Sequence, residues 1–153
     1  MTLFEAPEYN ARREKQKRIL LIATLIAIPI LAGLGWYFRH WPAEHRVNTF
    51  FEAIERKDLP GAFAIWNNDP DWRSHVDRYK GYPYGQFELD WGPASEWGMI
   101  TQHSIDAAVT TKEGTGVIVA VKINNRTEDA FLIVNKDHTI GFSPVEIQFR
   151  NFF

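Results

Sequence analysis

Histidine beside a carboxylate is the pairing from which this chain could build acid–base or metal chemistry, and three such pairs stand out in its sequence. Asp71 and His75 are four apart in a stretch of helical pattern and share one face, but an isolated, exposed i,i+4 pair ordinarily makes a surface ion pair and nothing more. His103 and Asp106 lie on a strand pattern, where an offset of three points them to opposite faces and excludes a shared metal ion. Asp137-His138 falls in a tight turn, where polarity alone accounts for both residues. The five histidines show no HExxH spacing and no His pair at i,i+4, so no zinc constellation is expected. The absence of cysteine excludes thiol nucleophiles, iron–sulfur clusters and Cys-based zinc sites, and leaves the fold to packing alone. Gly-x-Gly at Gly33 and Gly114 lacks both the third glycine and the strand-to-helix setting of a nucleotide site. Asn125-Arg126-Thr127 has the form of a glycosylation sequon, and in a bacterial protein it is merely a turn. No catalytic residue, metal ligand or cofactor is expected.

A second kind of chemistry, recognition by aromatic side chains, has more to work with. Phe63, Trp66, Trp72, Tyr79, Tyr82, Tyr84, Phe87, Trp91 and Trp97 crowd one segment, far above the 14% aromatic content of the whole chain. Two explanations stand. A small cysteine-free domain needs large side chains in its core, each removing ~150–250 Å² from water. Alternatively, several of the rings line a pocket mouth or a partner surface, where an apolar body with one polar handle is favoured. On that second explanation the candidate ligand- or partner-binding residues are Tyr82 and Tyr84, in a Gly-Pro loop, together with Trp91 and Trp97.

The element that places these residues relative to the cell is the stretch 19–38, ILLIATLIAIPILAGLGWYF, which has no charge and ten Ile or Leu. Twenty helical residues at ~1.5 Å each cross a hydrocarbon core of ~30 Å, so a transmembrane helix is predicted. Pro29 within it is tolerable in a membrane helix. Arg12, Arg13, Lys15, Lys17 and Arg18 precede the span, while only Arg39 and Arg46 follow closely, so the positive-inside bias keeps residues 1–18 in the cytoplasm. Trp36, Tyr37 and Trp41 fall where amphipathic rings prefer the headgroup level. The localisation that follows is the cytoplasmic (inner) membrane, with residues 42–153 periplasmic or extracellular. A cleaved signal peptide is the competing explanation, since Gly33-Leu34-Gly35 supplies small residues after an apolar core; the run is longer than the usual ~7–15-residue apolar region of a signal.

The outer segment is long enough for one domain and not for two. Of the net charge of −2, the basic tail contributes about +2 and the outer segment about −4, which is no footprint for nucleic acid. Trp41-Pro42 should break the span from a helix whose apolar stripe is Val47, Phe50, Phe51 and Ile54, at i, i+3, i+4 and i+7. Asp58-Leu59-Pro60 starts a shorter helix carrying Leu59, Phe63 and Trp66. Asp69-Pro70 reads as the cap and first position of a third, with Trp72, Val76 and Tyr79 as its stripe and a left-handed Gly81 as its stop. The stretch Phe87 to Trp91 fits a strand or a short helical turn, and the helical turn is preferred. From Ile100 the period becomes two: Ile105, Ala107 and Val109; then Val117, Val119, Val121 and Ile123; then residues 130–135; then Ile140 and Phe142, an antiparallel meander. After Pro144, Val145, Ile147 and Phe149 alternate once more.

The expected fold class is therefore α+β: an N-terminal transmembrane helix, then two to four helices packed on a curved antiparallel sheet of three or four strands. This order, with the phrase VNTFFEAIERKDLPGAFAIW, resembles the nuclear-transport-factor-like (SnoaL-like) cone superfamily across residues 47–143. That resemblance implies a curved sheet wrapping a helical layer. It does not choose a function, because the superfamily includes isomerases, dehydratases, ligand carriers and structural subunits of membrane complexes. No catalytic residue of any member matches a position here. The functional expectation is a membrane-anchored, non-enzymatic binding or assembly module, partnered by the bilayer and by a membrane protein. The alternatives are a small-ligand or lipid binder and, further off, an isomerase- or dehydratase-type enzyme.

Overall fold

The structure, a computed structural model, describes residues 11–145; the alternation at Ile147 and Phe149 lies outside the described residues. The chain divides between Arg39 and His40 into two compact units. In the first, α1 (Ala11–Tyr37) runs uninterrupted through Pro29. It is rich in Leu, Ile and Ala, good helix formers or tolerated ones. Its best 18-residue window has a mean hydropathy of 2.4, and none of that window is buried. Thr24 turns its hydroxyl back onto the Leu20 carbonyl at 2.8 Å, so the polar group in the apolar run is satisfied locally. Just past the helix, the Arg39 guanidinium sits 3.9 Å over the Trp36 ring.

The second unit carries α2 (Trp41–Glu55), α3 (Leu59–Trp66), a 3₁₀ helix (Trp72–Tyr79), α4 (Tyr84–Trp91) and four strands, β1 (His103–Thr110), β2 (Gly116–Ile123), β3 (Asp129–Asn135) and β4 (Ile140–Phe142). The predicted stripe of α2 is the one observed: Val47, Phe50, Phe51 and Ile54 are all buried. Both α2 and α3 end in the same way. Lys57 and Asn68 adopt left-handed φ of 63° and 51°, and the following amides reach back to carbonyls five residues earlier, Asp58 to Ala53 and Asp69 to Ala64, each at 2.9 Å. This pattern satisfies helix-end carbonyls that would otherwise be orphaned. Asp58 then caps α3 by accepting from the Gly61 amide at 2.9 Å, so one residue closes one helix and opens the next.

The sheet is an open antiparallel meander in the order β1-β2-β3-β4, giving the α+β class at the upper end of the expected strand count. On its inner face Val119, Val121, Ile123, Leu132, Val134 and Ile140 pack with Phe50, Phe51, Phe63, Phe87 and Trp91 in one buried cluster. Truncating a fully buried aromatic of this kind costs about 3–5 kcal/mol.

Three local expectations are corrected. Val109 does not share the inward side with Ile105: a β-bulge between Ile105 and Ala107 inserts one residue, reverses the parity, and leaves Ala108 packed on the core with Val109 45% exposed. Val76 is 58% exposed because the third helix is a 3₁₀ helix, kinked at His75, and a period of three cannot keep Trp72, Val76 and Tyr79 on one face. That helix begins at Trp72, not at Pro70, and Gly81 is not left-handed; Asp69 instead accepts from the Asp71 amide at 3.0 Å, an Asx turn ahead of the helix.

Candidate functional site

The histidine–carboxylate pairs form with other partners than their sequence neighbours. His75 Nδ1 lies 2.8 Å from Asp69 Oδ2, which also accepts from the Tyr79 hydroxyl at 2.6 Å, while Asp71 takes the Ser74 hydroxyl at 3.0 Å. These bonds hold the Asp69 carboxyl below its ordinary range, the Tyr79 bond most of all, and tie the kinked 3₁₀ helix to the end of α3. His103 does part company with Asp106, as the strand geometry required. Its ring lies flat against Phe51, centroids 5.1 Å apart, with Nδ1 2.7 Å from Glu55 and Nε2 2.9 Å from Asn48, so it fastens β1 to α2. Asp106 sits at the bulge and accepts from Lys122 Nζ at 2.7 Å. Asp137 stays in its turn, accepting from the Thr139 hydroxyl and amide at 2.7 and 3.0 Å, and His138 supplies the left-handed position, φ 65°. Among the described residues, no three His, Asp or Glu are placed to hold a metal ion.

All four aromatic candidates belong to or pack against the core, three of them through ring-to-ring contacts. Trp91 is buried, edge-on to Phe50 and Phe51 and stacked parallel to Phe142 at 5.8 Å. Tyr84 is half-buried; it opens α4, where a loop was expected, and stacks on Trp72 at 5.1 Å. Tyr82 is half-buried among Trp66, Phe87 and Phe142, and its hydroxyl donates to Asp90 at 2.8 Å. Burial and the Asp90 carboxylate push the Tyr82 phenol far above its ordinary range. The buried Trp91 indole N–H has no hydrogen-bond partner among the described residues. Trp97 is partly buried at the edge of the core, with no ring contact to the other three, and lies under the Arg126 guanidinium at 5.5 Å.

Among the described residues these rings pack between helices and sheet, and two concave features of this unit lie beside them. One recess of about 240 Å³ is lined by Ile54, Leu59, Trp91, Pro93, Met99 and Ile100, with Glu55 and Lys57 also on its wall. A larger groove of about 470 Å³ lies on the outer face of the sheet, between the β1–β2 hairpin and the residues after β4. Its lining includes Val109, Ile118 and Ile133, which face one another in register across β1, β2 and β3. No sequence reading singled this groove out. The signal was present in the unbroken run Val117 to Val121, apolar at every position as in strands covered on both faces.

No protein-family model, curated protein or solved structure matches this chain.

Proposed function

We propose that the protein is a single-pass membrane protein, basic end in the cytoplasm, that displays a cone-like α+β domain outside as a non-enzymatic binding or assembly module. The observation that carries this reading is the filled interior. A cone that converts or carries a small molecule needs a cavity between its helices and its sheet; here Phe50, Phe63, Phe87 and Trp91 occupy that space and are buried to within 2%. The polar groups that would carry acid–base chemistry are engaged in tying elements together, His103 between Asn48 and Glu55 and Asp69 between His75 and Tyr79. The anchoring half rests on α1, whose ten Ile and Leu side chains from Ile19 to Leu34 are 48–70% exposed; an apolar surface of that extent is stable in lipid and not in water.

A small-ligand reading keeps one point in its favour, the recess of about 240 Å³ against Trp91. Purification of the full-length chain in mild detergent, followed by native mass spectrometry, separates the two. A stoichiometric protein partner supports the assembly module, and a bound small molecule with no protein overturns it. Orientation is checked separately: a reporter active only in the cytoplasm, fused after Phe153, is expected to stay silent, and strong signal there reverses the topology.

A further inference from the structure

The second unit has two ends, and its internal ties fix which parts of the sheet share an end with its first residue, His40. His40 Nε2 lies 2.9 Å from the Thr110 hydroxyl, at the close of β1, while Asn48 and Glu55, further along α2, hold His103 at its start. β1 therefore runs antiparallel to α2. The β1–β2 hairpin, residues 111–115, follows directly on Thr110, and the pairing of Gly116 with Asn135 brings the β3–β4 turn, residues 136–139, to the same end. Asn68 joins the end of α3 to that second turn, its side-chain amide donating to the Asp137 carbonyl at 2.9 Å. The β2–β3 turn is at the opposite end, where the Asn124 side chain donates to the Met99 carbonyl at 2.9 Å.

Chain length then sets a limit that no packing can exceed. The apolar run ends at Phe38, so two residue steps, about 7 Å at full extension, separate it from His40. The His40 end of the domain cannot leave the outer boundary of the span. What that end exposes suits a headgroup layer: Trp41 and Val109 are exposed apolar side chains, and Lys112 and Lys136 are exposed in the two turns. An indole prefers the interface, and a lysine lays its apolar stem along lipid while its ammonium meets phosphate.

We propose that the domain stands on the bilayer by this end, with the 111–115 and 136–139 turns in the headgroup layer, Trp41 and Val109 at the acyl boundary, and Lys112 and Lys136 on lipid phosphates. The proposal rests on the membrane-anchored reading above. Its consequence is a fixed orientation: the recess beside Lys57, Met99 and Ile100, at the opposite end of α2, faces away from lipid and stays open to an aqueous partner.

The chain has no cysteine, so single cysteines report single positions. Glu113→Cys and Lys136→Cys sample the two turns, Thr127→Cys samples the opposite end, and Leu25→Cys samples α1. The three outer positions are exposed turn residues, where substitutions ordinarily leave the fold intact. Each full-length variant is labelled with a nitrobenzoxadiazole dye and reconstituted into phosphatidylcholine–phosphatidylglycerol nanodiscs containing lipid with a nitroxide in the headgroup or in the acyl chain. The expected result is that the headgroup nitroxide quenches the labels at 113 and 136 several-fold more than the label at 127, while the acyl-chain nitroxide quenches the label at 25. Turn labels quenched no more than the label at 127, with the label at 25 still quenched, overturn this proposal and leave the anchor standing. An unquenched label at 25 removes the anchor, and this proposal with it. Turn labels with blue-shifted emission but no quenching show that a second copy or another protein covers this end, and overturn the lipid contact. Equal, strong quenching at all three outer positions also overturns it, because the domain then lies along the bilayer and does not stand on one end.

Discussion

The two faces of the sheet are made of similar residues and differ in what covers them. Inward, Val119, Val121, Ile123 and Leu132 meet aromatic rings from α2, α3 and α4 and are excluded from water. Outward, Ile118, Phe131 and Ile133 lie half-buried against one another, and Val109 is left largely open by the bulge. Apolar content alone therefore does not mark the core of this domain; parity does, and one inserted residue in β1 is enough to change it. The difference also separates two kinds of energy: inner side chains are locked in a close-packed interior, where a lost group leaves a cavity, while outer ones can relax into solvent.

The comparison is tested hardest on the inner face. Phe50→Ala should lower the stability of the full chain by about 3–5 kcal/mol, since Phe50 contacts Phe51, Trp66, Phe87 and Trp91 and is fully buried. Val119→Ala should cost less, roughly 1–3 kcal/mol, for a smaller cavity. Denaturation followed by tryptophan emission reads both, and an unshifted midpoint for Phe50→Ala would show that the α2 stripe is not the core.

Next in size is the aromatic pair expected at the surface. With Tyr82 and Tyr84 packed on Trp66, Trp72 and Phe87, the double change Tyr82→Ala, Tyr84→Ala should destabilise by about 2–4 kcal/mol, more than surface substitutions, which ordinarily stay within about 0.5 kcal/mol. A stable double mutant that loses its co-purifying partner would return these rings to a recognition role. Outer-face Ile133→Ala should be milder, about 1 kcal/mol, because half the side chain is already in contact with water. An effect as large as that of Phe50→Ala would mean that the outer face is as closely packed as the inner.

What the sequence disclosed follows from the range of the forces involved. The α2 stripe and the inward alternation of β2 were legible because both come from a strict period against a large buried surface. The bulge was not, since Asp106 looks like an ordinary outward strand residue and only the partner strand counts the extra one. The partners of His75 and His103 were equally hidden. Asp69 is six residues from His75 and Glu55 forty-eight from His103, so each pair exists only once the turn after α3, or the docking of β1 on α2, has formed. The groove needed three strands in register before it could be seen.

The smallest effect concerns one of those long-range ties. Asp69 accepts from Tyr79, His75 and the Asp71 amide, interactions that favour the carboxylate and outweigh its partial desolvation, so its pKa is lower in the folded chain than in the unfolded one. A depressed carboxyl contributes stability that is present above the unfolded value, near 3.9, and is lost as pH falls through the folded value. The acid limb of the stability curve should therefore keep falling below about pH 4, towards the folded value, whereas a carboxyl with one pKa in both states adds no slope at any pH. Asp137, held down by Thr139, adds to the same limb, so the assignment rests on a difference. Asp69→Asn keeps an oxygen for Tyr79 and His75 but cannot ionise. It should lower stability at pH 6 and flatten the limb below pH 4, leaving the Asp137 share in place. Denaturant midpoints of both proteins at pH 6, 4 and 3 read this directly, and parallel limbs would show that Asp69 contributes geometry to the 3₁₀ helix and no linked proton.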